Sequence, residues 1–335
     1  MKIEKIKWHG IDAVQLETKL YVALIVPTMG ANVIQLLHKE TGVNVLRTPK
    51  ENEVENFLGR PHVYGIPVLF PPNRIEDGTY TFNGKKYTFP ITMVADNHYH
   101  HGILKSQAFT VSHVQTKNDS VEMEVVFYSN SVNDKIFVNF PHEFVCKMRF
   151  VLSEKGMEHT ISFTNLGVEP MPLGVGFHTT LAFPFTEDGQ KADYKLFLSA
   201  GKRWEQNKRG IPTGNILELT AEESLLRTDG VNTAGKGVEW HVTDQGLTIE
   251  GSEFHGTILT DTKKNISVYY EVDDEFKHWT LWTHDGEVDW ICPEPQTFCD
   301  NAPNMKLPAE QTGMQAVAGG KTWSGTTKFY VKQRK

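Results

Sequence analysis

The middle of the chain alternates apolar and polar residues with a period of two. Residues 121–125, 144–150 and 157–163 each show this pattern, and the turn sequence Ser153-Glu154-Lys155-Gly156 separates the last two segments. Period-two alternation is typical of strands that have one buried and one solvated face. Three such segments in succession predict an antiparallel sheet.

Strand patterns and turn signals also cover most of the remaining chain. Residues 11–26 are predicted to form two strands around a turn at Thr18-Lys19. Asp77-Gly78 and Asn83-Gly84 are hairpin signals, and they predict a β-hairpin over the Thr- and aromatic-rich residues 79–89. Further strands are predicted at residues 30–34, 246–249, 258–259, 266–272, 279–282 and 327–331.

Helical patterns are limited to residues 50–58 and 220–226, and Thr220 with Glu223 forms a capping-box candidate at the second of these. We find no internal repeat and no linker rich in Pro, Gly and Ser. We therefore predict that residues 1–335 form one all-β domain of two stacked, mostly antiparallel sheets.

Composition and charge exclude several classes of partner. The 335 residues are 39% hydrophobic and 22% charged, with a formal net charge of -7. This acidic balance argues against nucleic acid or an anionic membrane as the main partner. The N-terminus lacks the apolar core of a secretory signal, and three cysteines are too few for a disulfide framework. We expect a cytoplasmic protein that is a monomer or a homodimer.

Two polar residues, His178 and Glu294, lie at the ends of predicted strands that are far apart in the sequence. His178 follows Gly174-Val175-Gly176-Phe177, whose glycines allow another backbone or a ligand to approach closely. Glu294 lies between two prolines at the end of a second predicted strand. A lone histidine is more often a hydrogen-bonded core residue. However, a His and a Glu that face one another across a sheet can act as an acid and base pair.

A histidine-rich segment raises the question of a metal. On a strand, His98 and His100 point to the same face, as two metal ligands would. A barrel-type metal site usually adds a carboxylate about four residues later, and residues 102–106 contain none. We therefore predict no metal at His98, His100 and His101. Nearby, Arg74 follows two prolines at a predicted rim, where a planar guanidinium can bind sugar hydroxyls or phosphate.

Taken in order, these motifs resemble the aldose 1-epimerase (galactose mutarotase) family, from about residue 25 to the C-terminus. The motifs that carry the resemblance are Asn73-Arg74-Ile75, the hairpin with Asn83-Gly84, His101-Gly102, Gly176-Phe177-His178 and Glu294-Pro295-Gln296. The resemblance implies a single β-supersandwich with a sugar-binding groove, no metal and no cofactor. It also implies that Glu294 is the general base and His178 the general acid. Asn73, Arg74 and His101 would hold the substrate.

The sequence departs from the family pattern at two positions. The Asp that binds sugar hydroxyls in the family has no clear counterpart in residues 250–255. The Gln that contacts the substrate in the family is replaced within residues 279–282. Trp279 is expected to stack on the apolar face of a sugar if it is exposed there, although a buried Trp is the usual case. Either departure would alter the choice of sugar without altering the chemistry.

The expected reaction interconverts the anomers of an aldose by ring opening and closing. It needs one group that removes the C1 hydroxyl proton and one that protonates the ring oxygen, and we expect a carboxylate and an imidazolium to stabilise one another. Two alternatives remain open at this stage. One is a hexose-6-phosphate 1-epimerase in which Lys105 meets the phosphate, and the other is a carbohydrate-binding protein without catalysis. A glycosidase would need a second carboxylate opposite Glu294.

Overall fold

The chain begins with a five-stranded antiparallel sheet. The computed structural model describes residues 1–131 and 135–334. The first five strands pair in sequence order: β1 (Lys2–Trp8), β2 (Ile11–Glu17), β3 (Tyr21–Val26), β4 (Asn32–His38) and β5 (Val43–Asn44). The two strands predicted within residues 11–26 are β2 and β3. Between them, Thr18 accepts a hydrogen bond from the backbone nitrogen of Tyr21 at 3.0 Å.

The next segment contains short elements that later form the rim of a cavity. Helix α1 (Val54–Gly59) follows a 3₁₀ turn at Glu51–Glu53, which confirms the helix predicted at residues 50–58. The strands here are β6 (Val68–Leu69), β7 (Arg74–Glu76), β8 (Thr79–Phe82), β9 (Lys85–Thr88) and β10 (His98–His100). β8 and β9 form the predicted hairpin, closed by Asn83-Gly84, whereas Asp77-Gly78 joins two strands that do not pair with one another.

Long strands make up most of the rest of the chain. They are β11 (Thr110–Thr116), β12 (Ser120–Ser129), β13 (Phe144–Ser153), β14 (Gly156–Asn165), β15 (Met171–Leu173), β16 (Gly176–Phe177), β17 (Leu181–Ala182), β18 (Tyr194–Leu198), β19 (Ala200–Gln206), β20 (Pro212–Leu217), β21 (Glu239–Asp244), β22 (Leu247–Ile249), β23 (Ser252–Phe254), β24 (Gly256–Asp261), β25 (Ile266–Val272), β26 (His278–Trp282), β27 (Trp290–Gln296), β28 (Gln315–Val317) and β29 (Thr322–Gln333). Helix α2 (Ala221–Ser224) begins at the predicted capping box of Thr220 and Glu223, and α3 (Ala309–Thr312) was not predicted. Further 3₁₀ turns lie at Pro61–Val63, Lys135–Val138, Lys191–Asp193, Leu225–Arg227 and Ala302–Asn304.

Two large sheets form the body of the molecule. The first has the order β11-β12-β13-β14-β29-β25-β24-β18, and it contains the three alternating segments found in the sequence. The second has the order β20-β19-β21-β26-β27-β16-β6, with β17 also paired to β27. Strands account for 49% of the structure and helices for 10%. The predicted all-β, antiparallel class is therefore confirmed.

The core lies between the sheets. One hydrophobic cluster includes buried residues from Val14 in β2 to Phe329 in β29, and it contains side chains of both large sheets. That residues 1–335 form one domain stays a prediction. The helices in the described part of the chain are all too short or too polar to span a bilayer.

Candidate active site

Three neighbouring strands of the second large sheet place polar side chains on one face. β26 pairs with β27 so that Thr280 lies opposite Glu294. β21 pairs with β26 so that His241 lies opposite Thr280 and Glu239 lies opposite Trp282. Side chains two residues apart in a strand point to the same side of the sheet. The five residues therefore share one face, although they come from three separate segments of the sequence.

His178 approaches this face from the end of β16. Gly176 pairs with Gln296 of β27, and a Cβ at Gly176 would lie only 2.9 Å from the carbonyl oxygen of Pro295. Glycine thus lets β16 lie close enough for His178 to reach Glu294. The His178 Nε2 lies 3.3 Å from the Glu294 Oε1, and each side chain is 2% exposed. The sequence prediction that these two residues meet is confirmed.

His101 is placed by a tight turn beside the same pair. Its φ is +63° and that of Gly102 is +68°, and a Cβ at Gly102 would overlap the backbone nitrogen of Phe70. The ring of His101 lies 4.7 Å from the ring of His178. Lys105 donates hydrogen bonds to the carbonyl oxygens of His101 and Gly102, at 3.1 and 2.8 Å. Lys105 therefore stabilises the turn; that it meets a phosphate stays a prediction.

Arg74 is held between two carboxylates. Its Nη1 donates to Asp300 Oδ2 at 3.2 Å, and its Nη2 makes an ion pair with Glu239. The side chain of Asp300 is 1% exposed and that of Arg74 is 10% exposed, so this charge pair lies largely inside the protein. Burial opposes the charge on Arg74, but Asp300 and Glu239 outweigh it and raise the arginine pKa. The guanidinium is therefore a fixed cation in the wall of the site.

Thr280 connects the polar groups of the sheet face. Its Oγ1 accepts hydrogen bonds from Gln296 Nε2 at 3.0 Å and from Asn73 Nδ2 at 3.3 Å. With both lone pairs used, its own proton is directed to His241 Nδ1, 3.3 Å away. The other ring nitrogen of His241, Nε2, lies 3.2 Å from Glu239 Oε1 and 3.3 Å from Arg74 Nη1. This chain of hydrogen bonds fixes the direction of the Glu239 carboxylate.

A cavity of about 230 Å³ opens above this face. It is lined by Arg60, His62, Asn73, Arg74, Met93, His100, His101, His178, Glu239, Thr280, Trp282 and Glu294. Five residues proposed from the sequence, Asn73, Arg74, His101, His178 and Glu294, are thus brought together. Sequence reasoning missed Arg60, His62 and Glu239, which carry no local motif.

The expectation for Trp279 is wrong. Its side chain is buried to 1% exposure, and its indole nitrogen donates to Asp244 Oδ1 at 2.8 Å on the opposite side of β26. Trp282 lines the cavity instead, with its ring 5.6 Å from that of His178. Thr280 pairs with Glu294 on the cavity face, and Trp282 lies on the same face because it is two residues from Thr280.

Burial decides the protonation of the central pair. It raises the pKa of Glu294 well above its usual range, and the nearby carboxylates of Asp300 and Glu239 add to the effect. Burial also lowers the pKa of His178 well below its usual range, and its proximity to His62 lowers it further. Burial therefore disfavours the charged form of both groups, which opposes the mutual stabilisation expected of a carboxylate–imidazolium pair.

Two histidines of the histidine-rich segment, His98 and His100, contact different partners. His98 Nε2 lies 2.9 Å from the carbonyl oxygen of Arg209, whereas His100 Nε2 lies 3.0 Å from Asn73 Oδ1. The two rings therefore do not converge on a common point. Within the described ranges, one group of three side chains has the spacing to hold a metal ion, namely His101, His178 and Glu294.

Comparison with known proteins identifies relatives of the whole chain. The sequence model of the aldose 1-epimerase family matches residues 12–330. The crystal structure of a galactose mutarotase-like protein from Clostridium acetobutylicum is 37% identical, with a TM-score of 0.96 over 99% of this chain and 98% of that one. The expected galactose mutarotase-like fold is thereby confirmed.

Two other relatives are less similar to this chain in sequence. A putative aldose 1-epimerase from Escherichia coli K12 has the same fold at 16% identity, with a TM-score of 0.72 over 96% of this chain and 98% of that one. The uncharacterized protein YihR of Escherichia coli (strain K12) is 26% identical over 217 residues, or 64% of this chain. That match spans 63% of YihR, less than two thirds of its length.

Proposed function

This chain belongs to the aldose 1-epimerase family, and we propose that it interconverts the α and β anomers of an aldose by acid–base catalysis. The observation that carries the proposal is the buried His178–Glu294 pair, 3.3 Å apart, at the wall of a polar cavity. A binding protein has no need for a coupled proton donor and acceptor at that position.

One proton shared by the pair is enough for the reaction. In ring opening, the Glu294 carboxylate removes the proton of the C1 hydroxyl while the His178 imidazolium protonates the ring oxygen O5. The C1–O5 bond breaks and C1 becomes an aldehyde carbon. Glu294 is then protonated and His178 is neutral, which is the form that burial favours.

Ring closure reverses these transfers on the other face of C1. After rotation about C1–C2, the O5 hydroxyl attacks the aldehyde, His178 takes its proton, and Glu294 returns a proton to O1. Glu294 is then a carboxylate and His178 an imidazolium, as they were before ring opening. No step requires a metal or a redox cofactor.

The remaining lining residues would hold the sugar. Arg74 and Glu239 offer a fixed donor fork and a carboxylate acceptor for hydroxyl groups. Asn73 and His101 supply further polar contacts, and the indole of Trp282 supplies an apolar wall. We place Glu239 in the role of the sugar-gripping acidic residue that the sequence alone did not locate.

Polarimetry of freshly dissolved α-glucose and α-galactose tests the proposal. Wild-type protein is expected to accelerate mutarotation above the spontaneous rate. Glu294→Gln and His178→Asn should each lower kcat by about 10²–10⁴-fold, the usual contribution of a positioned proton-transfer group. Glu158→Gln on β14 and His113→Asn on β11, far from the cavity in sequence and sheet order, are matched controls and should keep wild-type rates.

Two results would contradict the proposal. The first is full activity of Glu294→Gln, which would remove the assigned base. The second is wild-type protein that binds sugars in a calorimeter yet never accelerates mutarotation of any aldose, which would favour the carbohydrate-binding alternative. The cytoplasmic location and the monomeric or homodimeric state stay predictions.

Arg60 favours a second candidate, an epimerase of hexose 6-phosphates. Arg60 is exposed at the cavity, and it forms no ion pair with any residue in the described ranges 1–131 and 135–334. The pKa of His62 is lowered by burial, then by the charge of Lys105, then by that of Arg60. The positive charge of Arg60 therefore acts on this wall of the cavity. Such a cation could bind a phosphate at the end of the sugar remote from C1.

A paired substrate comparison separates the two candidates. If the substrate is phosphorylated, Arg60→Gln should lower kcat/KM for glucose 6-phosphate by about 10- to 100-fold, the value of a charged hydrogen bond. The same variant should leave kcat/KM for glucose unchanged. Equal effects on both sugars, or none on either, would reject the phosphosugar candidate.

A further inference from the structure

The imidazole of His178 has no hydrogen bond on the side away from Glu294. Its Nε2 lies 3.3 Å from Glu294 Oε1, whereas its Nδ1 is buried and has no hydrogen-bond partner in the described part of the chain. A histidine that transfers protons is usually oriented by a third group, which accepts a hydrogen bond from its second ring nitrogen. Another feature must therefore set the plane of the His178 ring.

Three rings surround the His178 ring edge to face. The ring of His101 lies 4.7 Å away at an interplanar angle of 87°, that of Trp282 lies 5.6 Å away at 76°, and that of His62 lies 5.8 Å away at 80°. These distances and angles are typical of edge-to-face aromatic pairs. His62 also stacks on His101, with ring centroids 4.9 Å apart and an interplanar angle of 29°. His62 therefore contacts the His178 ring directly and also supports one of its two other neighbours.

The backbone on each side of His62 is anchored by a side chain from elsewhere in the fold. Asn32 Nδ2 donates to the carbonyl oxygen of Pro61 at 3.3 Å, and Arg47 Nη1 donates to the carbonyl oxygen of Val63 at 3.1 Å. Asn32 is completely buried. Because both chain neighbours of His62 are held in this way, its ring is a fixed surface against which the His178 ring packs.

We propose that His62 is a positioning residue, whose ring keeps the imidazole of His178 in the plane that directs Nε2 at Glu294. This role rests on the proposed function, because the plane of the ring matters for turnover only if His178 transfers a proton. His62 acts through the shape of its ring, since the contact is edge to face and includes no hydrogen bond. The sugar contacts proposed for the cavity do not use His62.

The ring of His62 is uncharged at neutral pH. Burial, then the charge of Lys105 and then that of Arg60, lower its pKa to about 4. A charge on His62 would oppose the imidazolium form of His178, and well above pH 4 that charge is absent. Of its two ring nitrogens, Nδ1 is buried without a partner among the residues that the structure describes. A hydroxyl-binding role for His62 would thus have to use Nε2.

Two substitutions separate a packing role from a hydroxyl-binding role. His62→Phe keeps the flat ring and removes both nitrogens, whereas His62→Asn keeps a polar group and removes the ring. In polarimetry with the aldose that wild type turns over fastest, His62→Phe should keep kcat and KM within about threefold of wild type. His62→Asn should lower kcat about 10- to 100-fold and change KM less than about threefold, because a misplacement of about 1 Å can cost about 10²-fold in rate. His113→Asn, at an exposed position of β11, should match wild type.

A second measurement follows the His178 ring without any turnover. ¹³C relaxation of the His178 Cε1–H bond reports ring motion on the picosecond to nanosecond timescale, and the resonance is assigned by its loss in His178→Asn. We expect the same order parameter in wild type and in His62→Phe, and a lower one in His62→Asn. Urea denaturation checks that each variant is folded. If His62→Asn does not fold, His62→Leu, which keeps apolar volume but no ring, replaces it with the same expected result.

The results decide the positioning role separately from the proposed function. Wild-type kcat or an unchanged order parameter in His62→Asn would overturn the inference. So would His62→Phe with KM raised about tenfold or more at unchanged kcat, which would make His62 a contact of the sugar hydroxyls. Wild-type protein that accelerates mutarotation of no aldose, while the order parameters change as expected, would contradict the proposed function and leave the packing of His178 by His62 in place.

Discussion

Arg74 illustrates how one side chain can serve both stability and binding. Its partner Asp300 is almost completely buried, so Arg74→Ala leaves a buried carboxylate without a counter-charge. Breaking one side of a buried pair usually costs about 3–5 kcal/mol. We expect Arg74→Ala to lower the free energy of unfolding in urea by that amount and also to raise KM.

A double variant separates the two roles. Asp300→Asn removes the buried charge, so Arg74→Ala with Asp300→Asn should recover part of the lost stability. KM should stay high, because the donor fork is still missing. Recovery of both stability and KM would show that Arg74 supports the fold only.

The two tryptophans of β26 should respond in opposite ways. Trp282 lines the cavity, so Trp282→Ala is expected to raise KM about 5- to 20-fold through the lost aromatic contact. Trp279→Phe deletes a buried hydrogen bond to Asp244 and should lower the unfolding free energy by about 1–3 kcal/mol without a change in KM. Steady-state polarimetry and urea denaturation of both variants check this, and a reversal of the pattern would contradict the assignment of faces.

At the scale of elements, the contact of β16 with β27 sets the distance between acid and base. An added Cβ at Gly176 would lie 2.9 Å from the carbonyl oxygen of Pro295, so Gly176→Ala should force the strands apart. A shift of about 1 Å at the reacting groups can cost about 10²-fold in rate. We expect kcat to fall about 10- to 100-fold with a smaller change in KM. Gly59→Ala, where the added Cβ meets nothing within 4 Å, is the control.

Elements with local signals could be predicted from the sequence. Three features depend only on neighbours in the chain, so their patterns are visible without the structure. They are the alternation in β12 to β14, the capping box of α2 and the Asn83-Gly84 hairpin. Glu239 and Arg60 could not be found in this way. They lie at the cavity only because β21 pairs with β26 and α1 ends at its rim, and no short segment encodes those pairings.

At the scale of the whole molecule, several histidines are held neutral inside the protein. Burial lowers the pKa of His62 and of His142 to about 4, and that of His159 and of His278 to about 3. The unfolded chain binds protons on these groups near pH 6.5, whereas the folded chain does not. Their contribution to stability is thus present above pH 6.5 and is lost as the pH falls toward the folded pKa values. We expect the urea midpoint to fall steadily from pH 6.5 to pH 4.

His159 allows this acid sensitivity to be measured at one position. Its ring is 1% exposed, stacks on Phe150 at 4.6 Å, and has no hydrogen-bond partner for either nitrogen among the described residues. His159→Leu should therefore stabilise the protein at pH 7, by about 1–3 kcal/mol. Below pH 6 the difference in unfolding free energy between the variant and wild type should grow by about 1.4 kcal/mol per pH unit. The reason is that unfolded wild type gains a proton on His159, whereas the unfolded variant cannot. Urea denaturation of both proteins at pH 7, 6, 5 and 4 measures the difference.

His255 provides a control of opposite sign. Partial burial lowers its pKa, but its contact with Asp244 outweighs burial and leaves the pKa raised. A raised pKa contributes stability that is fully present below the unfolded pKa and is lost as the pH rises through the folded one. His255→Asn should therefore cost more stability at pH 5 than at pH 8. If His159→Leu and wild type instead gave parallel curves from pH 7 to pH 4, His159 would not be neutral in the fold, and acid lability would have to come from the carboxylates.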